Sequence, residues 1–198
     1  MTLFFSYLYR IRGVILQYKT IIKKDLQRYS GGIDPFIKRY LILFRKTQFC
    51  KNKYKKRIFH YILKKYRLKH GIEIDSNVRI GAGLYIGHPF NITINDNVII
   101  GNNCNIHKGV LIGQENRGKR QGTPIIGDFV WIGINACIVG AVQVGNDVLI
   151  APNAYVNCNV PSHSIVIGNP CKIIHRDNAT EGYINNRVED NKIIYEDK

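Results

Sequence analysis

Between Val78 and Val156 an aliphatic residue returns at every sixth position, commonly followed by Gly, Asn or Ala. The main row reads Ile80, Ile86, Ile94, Ile100, Ile106, Ile112, Ile126, Ile132, Ile138, Val144, Ile150 and Val156. A row of mostly smaller residues runs two places ahead of it, through Val78, Leu84, Ile92, Val98, Cys104, Val110, Val130, Ala136, Val142, Val148 and Ala154. A period of six is neither that of a helix nor that of a simple strand. It predicts a solenoid of short flat strands and tight corners, three hexads to a triangular coil. Coils of this kind stack at the spacing of neighbouring strands, roughly 4.8 Å. The aliphatics then point inward, and Gly, Asn or Asp takes the corners.

Two places break the rhythm. Ile86 to Ile94 is a step of eight, so two extra residues enter around His88-Pro89-Phe90-Asn91. Ile112 to Ile126 is a step of fourteen, and the polar, Gly-rich, basic segment from Gly113 to Thr123 has no row residue of its own. It is expected to leave the coil as a loop over residues 113–124, and long loops on rigid scaffolds tend to carry function. Before the solenoid, Ile11, Val14, Ile15, Tyr18, Ile21 and Ile22 recur at helical spacing. Ser30-Gly31-Gly32 and Pro35 interrupt, and Phe36, Tyr40, Leu43 and Phe44, then Ile58, Tyr61 and Ile62, resume the helical pattern. The expected organisation is a helical domain over 1–70, a solenoid over 71–176 and a polar, mostly mobile tail over 177–198.

Charge sharpens this division. Of the 198 residues, the first seventy hold 19 Lys and Arg against only Asp25 and Asp34, and 14 of the 21 aromatic side chains. Such a half suits contact with an anionic membrane or glycan, or else simply caps one end of the coil with its charges solvated. Nucleic acid is not expected, because no recognised binding motif appears. The five cysteines show no CxxC and no paired metal spacing, so no metal site is predicted, and their odd number fits a reducing cytosol. The apolar start is interrupted by Arg10 and Arg12, and neither a membrane span nor a signal peptide is expected. The predicted location is cytoplasmic, with peripheral contact at the inner face of the membrane left open.

The rows, the tract from Ile126 to Ala136 with Trp131, and the ending Val160-Pro161 followed by Gly168-Asn169-Pro170-Cys171-Lys172-Ile173 resemble the hexapeptide-repeat acyltransferases. The branch they resemble is that of the serine acetyltransferases and related polysaccharide O-acetyltransferases. This resemblance implies a mainly β fold, a left-handed parallel β-helix with an N-terminal α-helical domain. It implies homotrimers, with a dimer of trimers left open, and acetyl-CoA in a groove between subunits.

Acetyl transfer from a thioester to an alcohol needs a base for the hydroxyl proton and donors for the tetrahedral oxyanion. The family's base matches His88, and the carboxylate fifteen residues earlier matches Glu73, both without gaps. His107 is a second candidate. Trp131 lies 24 residues beyond it, four hexads on, a spacing that resembles a His and Trp of some sialic-acid O-acetyltransferases. By the same resemblance, Gly113, Gly133, Ile134, Ala151 and Pro152 match corners that meet the pantetheine arm, with Trp131 nearby. Lys172 and the loop cations Arg117, Lys119 and Arg120 are candidates for the coenzyme phosphates. No Cys matches a nucleophile position, so direct transfer in a ternary complex is expected.

One departure bears on the acceptor. Serine acetyltransferases hold the amino acid partly through an Asp before the base and an Arg-His pair ending the loop. This chain has Gly87, Gly122 and Thr123 there. Missing polar partners discriminate steeply. The expected acceptor is therefore a hydroxyl of a sugar or surface polysaccharide, with serine, as in cysteine biosynthesis, the alternative.

Overall fold

The computed structural model describes residues 18–189. The expected helical signals at Ile11, Val14 and Ile15, and the end of the tail, lie outside the described residues. Residues 18–27 form α1. The break at Ser30–Gly32 ends before α2, Pro35–Phe49, whose N-cap Asp34 accepts from the backbone of Phe36 and Ile37 and whose first residue is a proline. Pro fits the first helical position because its missing N–H would have no partner there. Next comes α3, Lys53–His70, capped by Asn52 and stopped by Gly71 in the left-handed region at φ 63°. A Cβ there would also strike the Asn91 side chain.

The solenoid follows as β1 (Ile72–Ile74), β2 (Arg79–Ile80) and β3 (Tyr85–Gly87) in the first coil, and β4 (Ile92–Ile94), β5 (Ile99–Ile100) and β6 (Asn105–His107) in the second. The third holds β7 (Leu111–Gly113), β8 (Ile125–Ile126) and β9 (Val130–Ile132), and the fourth β10 (Cys137–Val139), β11 (Gln143–Val144) and β12 (Val148–Ile150). The last contributes β13 (Tyr155–Val156) and β14 (Ser164–Ile167), and β15 (Lys172–His175) turns back antiparallel on β14. Three parallel sheets result. Sheet I is β1-β4-β7-β10-β13, sheet II is β2-β5-β8-β11, and sheet III runs from β3 through β6, β9 and β12 to β14 and β15. The architecture is a left-handed β-helix of about five coils with N-terminal helices.

Both sequence rows lie inside the prism, where they form one continuous core of nearly inaccessible side chains. Each fully buried aliphatic contributes about 1.5–3 kcal/mol. The open end is covered by α2, which buries Ile37, Tyr40, Leu41 and Phe44 against the first coil. A buried ion pair fixes that cap. Arg45 donates to Asp25 at 2.7 Å and to the carbonyls of Ile80 and Gly81, while Asp25 accepts from the backbone of Gly83 and Leu84. Asp25 is thus no stray acid in a basic segment but the joint between α1, α2 and the coil.

The C-terminal segment differs from the expected mobile tail. Ala179, Thr180, Ile184 and Val188 are buried. Asp147 accepts from Ala179 N, Thr180 N and Thr180 Oγ1, and the Asn103 side chain pairs with both backbone groups of Val188. Polarity suggested disorder, but each of these contacts is made by a polar group satisfying a buried partner, which a reading of hydropathy misses.

Candidate active site

The two-residue insertion seen in the sequence is a bulge on one edge of the prism. Gly87 pairs with His107 across β3 and β6, and Gly109 N donates to the Phe90 carbonyl, so the register closes on both sides of His88-Pro89. His88 is pushed outward there, exposed and at φ 56°. The same edge, where sheet III turns into sheet I, continues through Gly133 and Ile134 and then Ala151 and Pro152, since Gly133 N bonds Ile150 O and Asn153 N bonds Ile134 O. Its far end is the turn from Ile167 to Lys172. Five of the expected residues, His88, Gly133, Ile134, Ala151 and Pro152, therefore share one edge, and Lys172 ends it. Gly133 has a structural reason of its own, because a Cβ would sit 2.6 Å from Pro152 N.

Glu73 stands on the outer surface of sheet I, beside the edge, in register with Thr93. It does not touch His88 among the described residues. Its carboxylate is bonded instead to the Arg67 guanidinium at the end of α3. The two belong to an open cleft of about 460 Å³ over sheet I, with Asp75, Asp96, Gly113 and Gln114 also on its wall. Sequence reasoning missed Arg67, Asp75 and Asp96. No motif marks them, since Arg67 arrives from a helix and Asp75 and Asp96 sit at corners.

His107 lies on the outer surface of sheet III. Its Nδ1 donates to the Ile132 carbonyl at 2.9 Å, so in the neutral ring the lone pair is on Nε2. Burial, with a smaller contribution from His88, lowers its pKa despite the Ile132 bond. Neutral imidazole is thus its resting form near pH 7. The ring fills the space a side chain at position 87 would need, because a Cβ on Gly87 would meet His107 Cδ2 at 2.6 Å and Nε2 at 2.9 Å. The absence of an Asp at position 87 and the presence of His107 are one packing arrangement. Trp131 packs at a tilt against His107, with centroids 4.7 Å apart, and edge-on against Tyr183 of the C-terminal segment at 5.1 Å. That puts Trp131 under the segment on sheet III, not on the edge with Gly133.

The loop after Gly113 is pinned by the pairing of Glu115 with Gly122 and by Ala141 N donating to Arg120 O. Arg117, Lys119 and Arg120 are exposed on it. They rise where sheet I turns into sheet II, across the prism from Lys172. Among the described residues no group of three potential metal ligands occurs.

Known proteins resemble this chain in both sequence and fold. Residues 123–158 match the bacterial transferase hexapeptide family, described as six repeats. A serine acetyltransferase of Helicobacter pylori is 35% identical over 126 residues, which cover 62% of this chain and 74% of that protein. The chain belongs to the hexapeptide-repeat acyltransferases. A Staphylococcus aureus serine acetyltransferase is 38% identical over 114 residues, 57% of this chain and 53% of its own length. Among solved structures, a serine acetyltransferase of Brucella abortus superposes with a TM-score of 0.70 at 23% identity, covering 86% of this chain and 74% of its own. That of Neisseria gonorrhoeae in complex with serine gives 0.64 at 25% identity, covering 84% and 74%. The protein is accordingly an acyltransferase.

These relatives correct the expected acceptor. They are serine acetyltransferases, and the sugar or polysaccharide reading is set aside in favour of its alternative. Gly87, Gly122 and Thr123 are three positions and not the whole grip on a zwitterion. The cleft over sheet I carries a guanidinium and three carboxylates, Arg67 with Glu73, Asp75 and Asp96. Charges of both signs are therefore present, at positions an alignment of the grip does not reach.

Proposed function

We propose that the protein transfers the acetyl group of acetyl-CoA to the hydroxyl of serine. The observation that carries this reading is the 35% identity to a serine acetyltransferase over most of that enzyme's length. The site's own chemistry agrees with it. His88 is the base: one ring nitrogen takes the proton of serine Oγ as that oxygen attacks the thioester carbonyl. The tetrahedral intermediate collapses to the ester, and the coenzyme leaves as thiolate, to which the imidazolium returns the proton. No covalent acetyl-enzyme is needed, so donor and acceptor are bound together.

Glu73 lies one strand residue from the bulge's edge and supports the imidazolium electrostatically. Arg67, which now holds Glu73, is placed to share its charge with the carboxylate of serine. His107 offers the bare Nε2 as an acceptor for the ammonium, in the space that an aspartate side chain before the base would occupy. The coenzyme runs along the edge past Gly133, Ile134, Ala151 and Pro152 towards Lys172, over residues whose small or ring-bound side chains allow close approach. Trp131 sets the His107 ring. The loop with Arg117, Lys119 and Arg120 stands on another edge of the prism, and reaches the coenzyme from the neighbouring subunit of a homotrimer. Ile99 and Ile125, register partners on sheet II that are 36% and 46% exposed, supply apolar surface for such a contact. The five free cysteines suit a reducing compartment, so we place the reaction in the cytoplasm.

The test is product analysis. Incubation with acetyl-CoA and L-serine should yield the serine acetyl ester. The analogues lacking either the amino or the carboxyl group should react poorly. Equal turnover of both analogues would remove the zwitterion from this reading.

A further inference from the structure

The third helix has a face that nothing among the described residues covers. Of its eighteen residues α3 buries only Leu63. Tyr54, Ile58, Tyr61 and Leu68 are 57–80% exposed. Their spacing of four, three and seven residues puts them on one exposed stripe, on the side of the helix opposite Leu63, and Lys65 completes it with its ammonium 5.0 Å above the Tyr61 ring. The helix carries Lys53, Lys55, Lys56, Arg57, Lys64, Lys65, Arg67 and Lys69 and no acid. Along one side of the stripe, Lys53, Lys56, Arg57, His60 and Lys64, together with Tyr61 of the stripe itself, line a cleft of about 390 Å³ with Ser76 and Asn77 of the first coil.

Charge decides the occupant. A second copy of α3 would bring eight cations against eight with no acid on either helix, and like charges on adjoining helix faces repel. An apolar protein groove would leave those cations without partners. Tyrosine and aliphatic side chains in a stripe bordered by lysine and arginine match an interface with apolar chains below and phosphates above. The lysine stems can lie along the apolar layer while their ammonium groups reach the headgroups. The helix is too charged to cross a bilayer, and none of the described helices is long and apolar enough to do so.

We propose that α3 docks the protein on an anionic phospholipid surface. The helix lies in the plane of the interface, with Tyr54, Ile58, Tyr61 and Leu68 inserted and the flanking cations on lipid phosphates. This holds whether or not serine is the acceptor. Sedimentation of the full chain with vesicles tests it. Phosphatidylglycerol-containing vesicles should carry the protein down and pure phosphatidylcholine vesicles should not, and added salt should release it. Each surface cation contributes about a fivefold factor near such a membrane. The Lys53→Gln/Lys56→Gln/Arg57→Gln/Lys64→Gln variant should therefore bind at least about a hundredfold more weakly. Tyr54→Gln/Ile58→Gln/Tyr61→Gln/Leu68→Gln should also lose binding. Because these side chains are exposed, apart from the half-buried Lys56, and none is in the core, both variants should keep the wild-type circular dichroism and acetyl-transfer rate on soluble substrates.

Undiminished vesicle binding by either variant would overturn the proposal and shift attention to residues 1–17. Equal binding to neutral vesicles would overturn it too. So would a stripe variant that changes only self-association, pointing to a second copy, or protein that prefers RNA to vesicles.

Discussion

Sheets I and III are built from the same repeat, yet their outer surfaces have opposite fates. Outside sheet III the row Tyr85, Asn105, Trp131 and Leu149 is covered. Tyr29 stacks on Tyr85, Arg28 and the carbonyl of Tyr183 bond Asn105, Tyr183 packs on Trp131, and Leu149 is 7% exposed. Outside sheet I the row Glu73, Thr93 and Leu111 faces an open cleft. The inward residues of both sheets are buried alike. Only the outward ones differ, and they decide which sheet receives α1 and the C-terminal segment and which is left open. His88 stands on the edge between them, where a bulge can project a side chain without disturbing either sheet.

The strongest way to break this contrast is at the edge itself. His88→Ala should lower kcat by roughly 10²- to 10⁴-fold in a thiol-release assay. Because His88 is exposed, its thermal midpoint should not move. A stable variant with full activity would return the role of base to His107.

The covered side is tested next. Asp147→Ala removes the acceptor for Ala179 N, Thr180 N, Thr180 Oγ1 and His163. It should cost about 1–3 kcal/mol in urea unfolding. Burial alone would raise the Asp147 pKa. The bonds from Thr180, His163 and Ala179 outweigh it and hold the carboxyl below its ordinary 3.8. A depressed carboxylate stabilises the fold above its unfolded pKa, and that contribution is lost as pH falls through the folded value. Wild type should therefore lose stability over that acid range more steeply than Asp147→Ala, and parallel curves would contradict the assignment.

A subtler change lies where the two surfaces meet. Gly87→Ala drives a methyl group into His107, a clash of a kind that costs about 1–3 kcal/mol. It should raise KM for serine through the displaced Nε2 more than it lowers kcat. Smallest of all, Arg67→Gln should weaken serine severalfold with little effect on acetyl-CoA, since a pair this exposed contributes about 1 kcal/mol or less.

Much of this fold can be read from the chain because its repeat is so regular. The inward rows are the period of six itself, the two-residue bulge at His88 and the loop after Gly113 are its breaks, and the structure has each of them. What could not be read depends on contacts between distant segments. The Asp25–Arg45 pair joins two helices to the first coil, and Asn103 holds Val188 from 85 residues away. Neither leaves a periodic trace. The acceptor was misread for a related reason. Three aligned positions could be inspected, whereas Arg67, Asp75 and Asp96 gather in the cleft only when α3 and successive corners of the coil come together.

The most direct measurement is the rate of thiol release from acetyl-CoA with saturating L-serine, compared between the wild type, His88→Ala and His107→Ala. Serine-dependent release should collapse in the first variant and show mainly a raised KM in the second. No serine-dependent release by the wild type, or equal rates in all three, would contradict the proposed reaction.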